Sequence, residues 1–369
     1  MKIAIIGSHG YPFIYGGFET FVQELSERII NYSDIEITVY CRKNYFSTFP
    51  ENINGIKLVY INTIKRKSLA QLIHSFRSII HATFNNFDIL YILNSGNGIF
   101  GIIPKIFKVK TIINVDGIEW KRPKWKGLGA KYFLLSSFIA TKIFDIIITD
   151  SMEMQKIYKN KFNCDSMYIA YGEERRVSTH KEILLKWNIE PYNYYLVVGR
   201  LVPDNNIELI IDEFINSNSR LELVIVGDDI LKDSFSKRII ANKNKKLKFL
   251  GYVFDHDELN ELFCNCFAYI HGHEFGGTNP TLLQALASNI PIFALDTVFS
   301  REVLDNDKYG FLFVKEKNFL ANLIKSKEKN SKEIEHYRDK TFERINDFYK
   351  WDEIVSKYYN IFIQLNNGN

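Results

Sequence analysis

Four cysteines in 369 residues, Cys41, Cys164, Cys264 and Cys266, are too few to staple a fold of this length. Cys264-Asn265-Cys266 is one residue tighter than the two-residue gap usual in a zinc site, so no metal site is read and thiols in a reducing cytosol are expected. Charge of one sign is scarce as well. Forty-seven basic and 43 acidic residues leave a net charge of +4, which makes no compositional case for a nucleic-acid partner. Long apolar runs are missing. Ile3 to Ile6 is too short for a signal-peptide core, and no small-residue cleavage site follows it. Asp88–Phe107 is broken by Asn94, Gly96, Asn97, Gly98 and Pro104, and Phe133–Thr149 holds Lys142 and Asp145; neither supplies the about 20 clean apolar residues of a membrane span. A soluble protein is expected, resting at most on a membrane surface. What is abundant is core material: 46% hydrophobic and 15% aromatic residues exclude disorder. The length suits two to three domains of roughly 150 residues.

Lys2–Gly7 is a short buried strand running into glycine, and Phe18, Phe21, Val22, Leu25 and Ile29 then mark one buried helix face. Further strands are expected at Glu36–Tyr40, Lys57–Ile61, Ile89–Leu93, Thr111–Val115 and Ile146–Thr149. The same opening recurs at Tyr194–Gly199, followed by a helix at Ile207–Ile215, strands at Leu221–Gly227, Lys248–Leu250, Phe267–His271 and Ile292–Leu295, and helices at Asp257–Cys264 and Pro280–Ala287. Strands alternating with helices imply parallel sheets covered on both sides. The α/β class follows, with two doubly wound, Rossmann-like domains facing a central cleft. Boundaries fall at 1–172 and 193–345, with a charged linker at 173–192. A closing helix at 346–369 carries a stripe of Trp351, Ile354, Val355, Tyr358, Tyr359 and Phe362, expected to pack on a core and to cross back to the first domain.

In such sheets ligands bind beyond the carboxyl ends of the strands, which directs attention to four loops. Gly7, Gly10, Gly16 and Gly17 stand between the first strand and first helix, where bare backbone amides can approach an anion; an ordinary flexible loop reads equally well. Arg200 directly follows a strand, and its fork suits a phosphate or a carboxylate. Gly276-Gly277-Thr278 precedes Asn279-Pro280, a helix cap with proline in the first turn, so amides and a hydroxyl lie at the positive helix end; Gln284 lies one turn further in, within reach of a sugar hydroxyl. The bland reading is a well-capped structural helix. Trp120, Lys121, Arg122, Lys124, Trp125 and Lys126 form a basic and aromatic segment that suits an anionic membrane or acceptor surface, or simply a solvated basic face. Asp116, just after a strand, is expected to look into the cleft. Neither half carries the spaced glycine fingerprint of a dinucleotide-binding dehydrogenase.

These motifs together resemble the GT-B glycosyltransferases of family four, specifically the bacterial rhamnosyltransferase-like subgroup. The resemblance rests on Tyr15-Gly-Gly-Phe-Glu-Thr20, Val115-Asp-Gly-Ile-Glu-Trp-Lys-Arg122, Gly199-Arg-Leu-Val-Pro-Asp-Asn-Asn206 and Gly276-Gly-Thr-Asn-Pro-Thr-Leu-Leu283, in that order along nearly the whole chain. It implies an acceptor-side first domain, a donor-side second domain, and transfer of a sugar from a nucleotide diphosphate to an acceptor hydroxyl with retained configuration and no metal or other cofactor. By position, Arg200 would hold the donor diphosphate, Gly16 and Gly17 would close over the phosphates and acceptor, Gly276, Gly277, Thr278 and Asn279 would bind donor sugar and phosphate, and Gln284 the nucleoside sugar. Asp116 and Glu274 stand as catalytic candidates beside Arg200, for positioning or proton handling.

Two departures from the family pattern matter. Asn205 stands where a lysine is usual, although it remains in the donor-binding set. Gln284 stands where the second of two paired glutamates belongs, and Glu274 is ten positions ahead of it instead of eight. Loss of the carboxylate that grips a ribose 2′-hydroxyl points to a deoxyribose donor such as dTDP-rhamnose, with a UDP-sugar as the alternative. The implied acceptor is a lipid-linked saccharide of bacterial cell-surface polysaccharide synthesis, such as capsule or O-antigen. The protein would then sit in the cytoplasm, peripheral on the inner face of the membrane, with no nucleic-acid partner. A sugar-nucleotide epimerase and a non-enzymatic nucleotide-sugar scaffold stay open.

Overall fold

Runs such as Ile3-Ala-Ile-Ile6 and Ile146-Ile-Ile-Thr149 have no polar alternation because both faces of their sheet are covered, and each is wholly or nearly wholly buried. The computed structural model describes residues 1–12, 16–64, 67–123, 125, 127–227 and 234–368. Tyr15, Lys124 and Lys126, named above, lie outside the described residues.

The chain divides into two units, residues 1–171 with 351–369, and residues 172–350. The first holds β1 (Lys2–Ile6), α1 (Gly17–Ile29), β2 (Glu36–Arg42), β3 (Asn52–Ile53), β4 (Ile56–Ile61), α2 (Lys67–Thr83), β5 (Ile89–Leu93), α3 (Ile102–Ile106), β6 (Lys110–Asn114), α4 (Leu128–Ile143), β7 (Ile146–Thr149), α5 (Met152–Phe162) and β8 (Met167–Tyr168). Its sheet runs β3-β4-β2-β1-β5-β6-β7-β8, parallel except for the β3–β4 hairpin. Strand order therefore reverses between β1 and β5.

The second unit holds β9 (Tyr194–Val198), α6 (Ile207–Ser217), β10 (Glu222–Val226), α7 (Ser234–Ile240), β11 (Leu247–Gly251), α8 (His256–Cys264), β12 (Ala268–His271), α9 (Pro280–Ala287), β13 (Ile292–Leu295), α10 (Val298–Leu304), β14 (Phe311–Phe313), α11 (Phe319–Glu328) and α12 (Ser331–Phe348). Its all-parallel sheet runs β11-β10-β9-β12-β13-β14, reversing between β9 and β12. Both domains are thus Rossmann-like. Residues of the expected linker are folded onto this unit: buried Glu261 of α8 accepts from Ser178 Oγ (2.6 Å) and from the amides of Thr179 (2.6 Å) and His180 (2.9 Å).

The final helix, α13 (Trp351–Asn367), belongs to the first unit and buries its stripe there. Tyr358 packs its ring 5.5 Å from Phe21 and 5.6 Å from Tyr91, whose hydroxyl donates to Tyr358 Oη at 3.0 Å. Lys110 Nζ caps the helix end on the carbonyls of Leu365 and Asn366 (2.6 and 2.7 Å). Tyr359 departs from the expected stripe; it stacks on Tyr32 at 4.1 Å and bonds Asp34.

All four cysteines are free thiols and three are buried. Burial pushes Cys41 up to about 12 and Cys264 up to about 11, holding both protonated. Among the described residues no group of three or more His, Cys, Asp or Glu is arranged to hold a metal ion, and no helix is long and apolar enough to cross a membrane.

Candidate active site

In the second unit the loops after β9 and β12 emerge at the point of strand reversal, the usual ligand position in an open parallel sheet. Two glycines let the chain close up there. A Cβ on Gly227 would lie 1.9 Å from the Gly199 carbonyl, and one on Gly272 would lie 2.4 Å from the Asn205 carbonyl. Consecutive asparagines then lace the loops together. Asn205 Nδ2 donates to the Arg200 carbonyl (2.8 Å) and its Oδ1 is 2.6 Å from His273 Nδ1. Asn206 Nδ2 donates to the Gly272 carbonyl (2.8 Å) and reaches Glu274 Oε2 (3.4 Å), while the Glu274 amide donates to Asp204 O (3.1 Å). Asn205 is thus a buried strut in this structure.

Arg200 is exposed at the end of β9. Glu274 pairs with Lys315 Nζ at 2.5 Å, a cation with no sequence signal. Gly276, Gly277 and Thr278 are buried ahead of α9, and Asn279 caps it, accepting from the Thr281 amide (3.0 Å) and hydroxyl (2.8 Å). Thr281 in turn accepts from Tyr269 Oη (2.9 Å), which lies 3.1 Å from His271 Nδ1. Burial, with the charge of His273 as the second cause, pushes His271 down to about 3 and keeps it neutral. His271, His273, Gly277 and Asn279, with Leu282, Phe299, Ser300 and Val303, line a cavity of about 10 Å3, room for at most one water. Gln284, one turn along α9, is buried and its Oε1 has no hydrogen-bond partner.

In the first unit, Gly16 and Gly17 begin α1. The first turn already carries a carboxylate: buried Glu19 accepts from the His9 amide (3.0 Å) and lies 2.5 Å from His9 Nδ1. Burial raises its pKa, but the His9 hydrogen bonds and charge outweigh that and leave it below the ordinary value. An anionic charge therefore sits at this helix start, where a donor phosphate was expected. Asp116, half-buried after β6, accepts from Tyr171 Oη (3.2 Å). Burial, then the charges of Asp116 and Asp150, raise the Tyr171 pKa and keep it a donor.

The expected surface at Trp120–Trp125 needs correction. Arg122 pairs with buried Glu119 at 2.6 Å, and Trp125 Nε1 donates to the same carboxylate at 2.7 Å. Trp120 packs edge-on to Phe162 at 5.8 Å and Trp125 lies 4.8 Å from Phe133. Glu119 gathers its two neighbours inward, and of the described members only Lys121 is fully exposed.

Residues 180–344 match the family described as glycosyl transferases group 1, and residues 1–174 match one described as a domain of unknown function, DUF1972. The second domain thus resembles a group 1 glycosyltransferase domain over residues 180–344. A probable sucrose-phosphate synthase of Thermosipho melanesiensis is 25% identical over 45% of this chain and 40% of its own length. An N-acetylgalactosamine-N,N'-diacetylbacillosaminyl-diphospho-undecaprenol 4-alpha-N-acetylgalactosaminyltransferase of Campylobacter jejuni is 28% identical over 42% of this chain and 43% of its own. The matches thus span about two fifths of the length of these curated relatives. Among solved structures, a sucrose-phosphate synthase from Thermosynechococcus elongatus shares the fold over 100% of both chains, with a TM-score of 0.81 and 15% identity. Anabaena HepE in complex with UDP-glucose does so over 99% of this chain and 100% of its own, at 0.77 and 14%. Such likeness is one of fold, and the fold is GT-B.

Of the residues singled out in the sequence, the structure brings Arg200, Asn205, Glu274 and Gly276–Asn279 together around the loops after β9 and β12. Sequence reasoning missed His271, His273, Asn206 and Lys315. The histidines had a signal, since His271-Gly-His273 stands directly ahead of Glu274; Lys315 had none, being 41 residues from its partner.

Proposed function

We propose that the protein transfers a sugar from a nucleotide diphosphate donor to an acceptor hydroxyl. The observation that carries this is the convergence of Arg200, Glu274 and the buried Gly276–Thr278 turn at the strand reversal of the second domain. The barrier is departure of a diphosphate while positive charge grows on the anomeric carbon. Arg200, the main-chain amides before α9 and the α9 dipole stabilise the leaving oxygens. The dipole contributes roughly 0.3–1 kcal/mol, and up to ~2 kcal/mol when partly buried. The departing phosphate takes the acceptor's proton on the same face, so configuration is retained without a metal. Glu274, held by Lys315, positions the sugar, and Tyr171 orients Asp116 on the acceptor side.

The finer reading is rhamnose from dTDP-rhamnose, passed to a lipid-linked saccharide in bacterial surface-polysaccharide synthesis, with the protein peripheral on the cytoplasmic face of the membrane. Gln284 supports it: a neutral buried acceptor lacks the carboxylate that best grips a ribose 2′-hydroxyl. The Campylobacter relative, named for an undecaprenol-linked acceptor, supports the lipid. A UDP-sugar is the second reading, favoured by the UDP complexes of Anabaena HepE.

A panel of nucleotide sugars incubated with membrane extract, read by mass spectrometry of the extended lipid, tests the proposal. One donor is expected to extend the lipid and release its nucleotide diphosphate. Release of no nucleotide from any donor, or product formed without acceptor, overturns it. Tighter product inhibition by UDP than by dTDP sinks the deoxyribose reading alone.

A further inference from the structure

The first unit carries a face that the transfer chemistry leaves unused. Helices α2, α3 and α4 connect β4 to β5, β5 to β6 and β6 to β7. With right-handed crossovers all three cover the sheet face opposite α1. Many of their outward side chains are apolar. Phe76 on α2, Phe84 just after it, Ile106 and Phe107 at the end of α3, and Leu135 and Phe138 on α4 are all exposed, Ile106 to 69%. Ring contacts between Phe84 and Phe107 (4.7 Å) and between Phe76 and Phe100 (5.3 Å) join α2 to the α3 segment. Single exposed apolar residues are ordinary, whereas a joined group rimmed by polar residues marks a docking surface.

Charge identifies the occupant. Residues 67–83, 95–108 and 127–143 contain no aspartate or glutamate, while Arg77, Lys105, Lys108, Lys131 and Lys142 are exposed among the apolar residues. Lys105 reaches Asp145 (3.1 Å), which lies beyond the end of α4. A face with five exposed cations and Asp145 only at its edge disfavours a second copy of itself. Apolar side chains interleaved with cations match a surface of phosphates over hydrocarbon.

We propose that the α2–α3–α4 face docks the protein on a bilayer containing anionic phospholipid, with Phe84, Ile106, Phe107 and Phe138 entering the headgroup boundary. The basic side chains meet the phosphates. This face takes the place of the Trp120–Trp125 segment, whose Arg122 and Trp125 are folded onto Glu119. Docking here is independent of turnover, so a failure to bind lipid and a failure to transfer sugar are read separately.

The test sediments the full chain with vesicles of phosphatidylcholine alone, or mixed with phosphatidylglycerol. Binding to the mixed vesicles is expected to exceed that to the neutral ones by about tenfold or more, and to fall as salt rises. A double variant Ile106→Glu, Phe107→Glu and a second, Lys131→Glu, Lys142→Glu, are each expected to weaken binding about tenfold with unchanged melting temperatures. The lysine pair is wholly surface-borne, so its result stands even if the apolar variant folds poorly. Equal or absent binding to both vesicle types, or unweakened binding by the lysine variant, overturns the proposal. So does a wild-type dimer by light scattering that either variant converts to monomer, because the face would then be an interface between copies.

Discussion

A buried amide oxygen without a donor costs about 1–3 kcal/mol, and Gln284 carries one on the helix that the donor is proposed to reach. A sugar hydroxyl supplies the missing donor. Gln284→Glu is therefore expected to tighten UDP relative to dTDP by about tenfold in titration calorimetry, because a charged acceptor strengthens the bond to a 2′-hydroxyl. Unchanged selectivity would place the nucleoside elsewhere. Arg200→Ala is expected to lower turnover by roughly 100- to 1,000-fold with little change in melting temperature, since the side chain is exposed. At this scale the sequence was legible for position, as with Arg200 exposed at the end of β9. It misled where an amide has several uses. Asn205 reads as a lost lysine, yet its two amide atoms join the Arg200 carbonyl to His273, a role set by a partner 68 residues away. Trp120–Trp125 misled for the same reason: one buried carboxylate, Glu119, redirects both Arg122 and Trp125.

Helix α9 ties site to scaffold through its first turn. Asn279→Ala removes the cap and frees Thr281, so a loss of about 1 kcal/mol in urea unfolding is expected, together with weaker nucleotide diphosphate binding. A full loss of stability with unchanged binding would make the cap purely structural. Elements were legible in proportion to their length and burial. Strands such as Ile89–Leu93 and Ile292–Leu295 are continuous apolar runs that stop at Asn94 and Asp296, and their limits coincide with expectation. Asn52–Ile53, Met167–Tyr168 and Phe311–Phe313 are too short to show any periodicity, and pairing with a neighbouring strand alone defines them.

Over the whole molecule, each unit hides a neutral histidine. His74 in the first unit is pushed down to about 3, by burial first and Arg42 second, and His271 in the second lies equally low. The unfolded chain protonates both near the ordinary value of 6.5, while the native protein cannot. Stability present above that value is thus lost as pH falls from about 6.5 towards 3, by up to ~1.4 kcal/mol per pH unit for each histidine. Urea midpoints should fall across that window, and a flat profile would contradict it. Helix α13 matters more. Its six buried side chains, at ~2 kcal/mol each, amount to ~12 kcal/mol, comparable with the whole stability of a domain. A chain ending at residue 350 is expected to leave the first unit open to protease while residues 172–350 survive as a resistant fragment.

The return of α13 also fixes an order of events during synthesis. The chain leaves the first unit after Tyr171 and comes back at Trp351, and the two crossings run side by side, with the Glu173 amide donating to the Tyr349 carbonyl at 2.7 Å. The half translated first must therefore wait, its aromatic seat around Phe21 and Tyr91 bare, until the ribosome has released residues 351–367. The later half can mature ahead of it, which makes the early segment the one most in need of a chaperone.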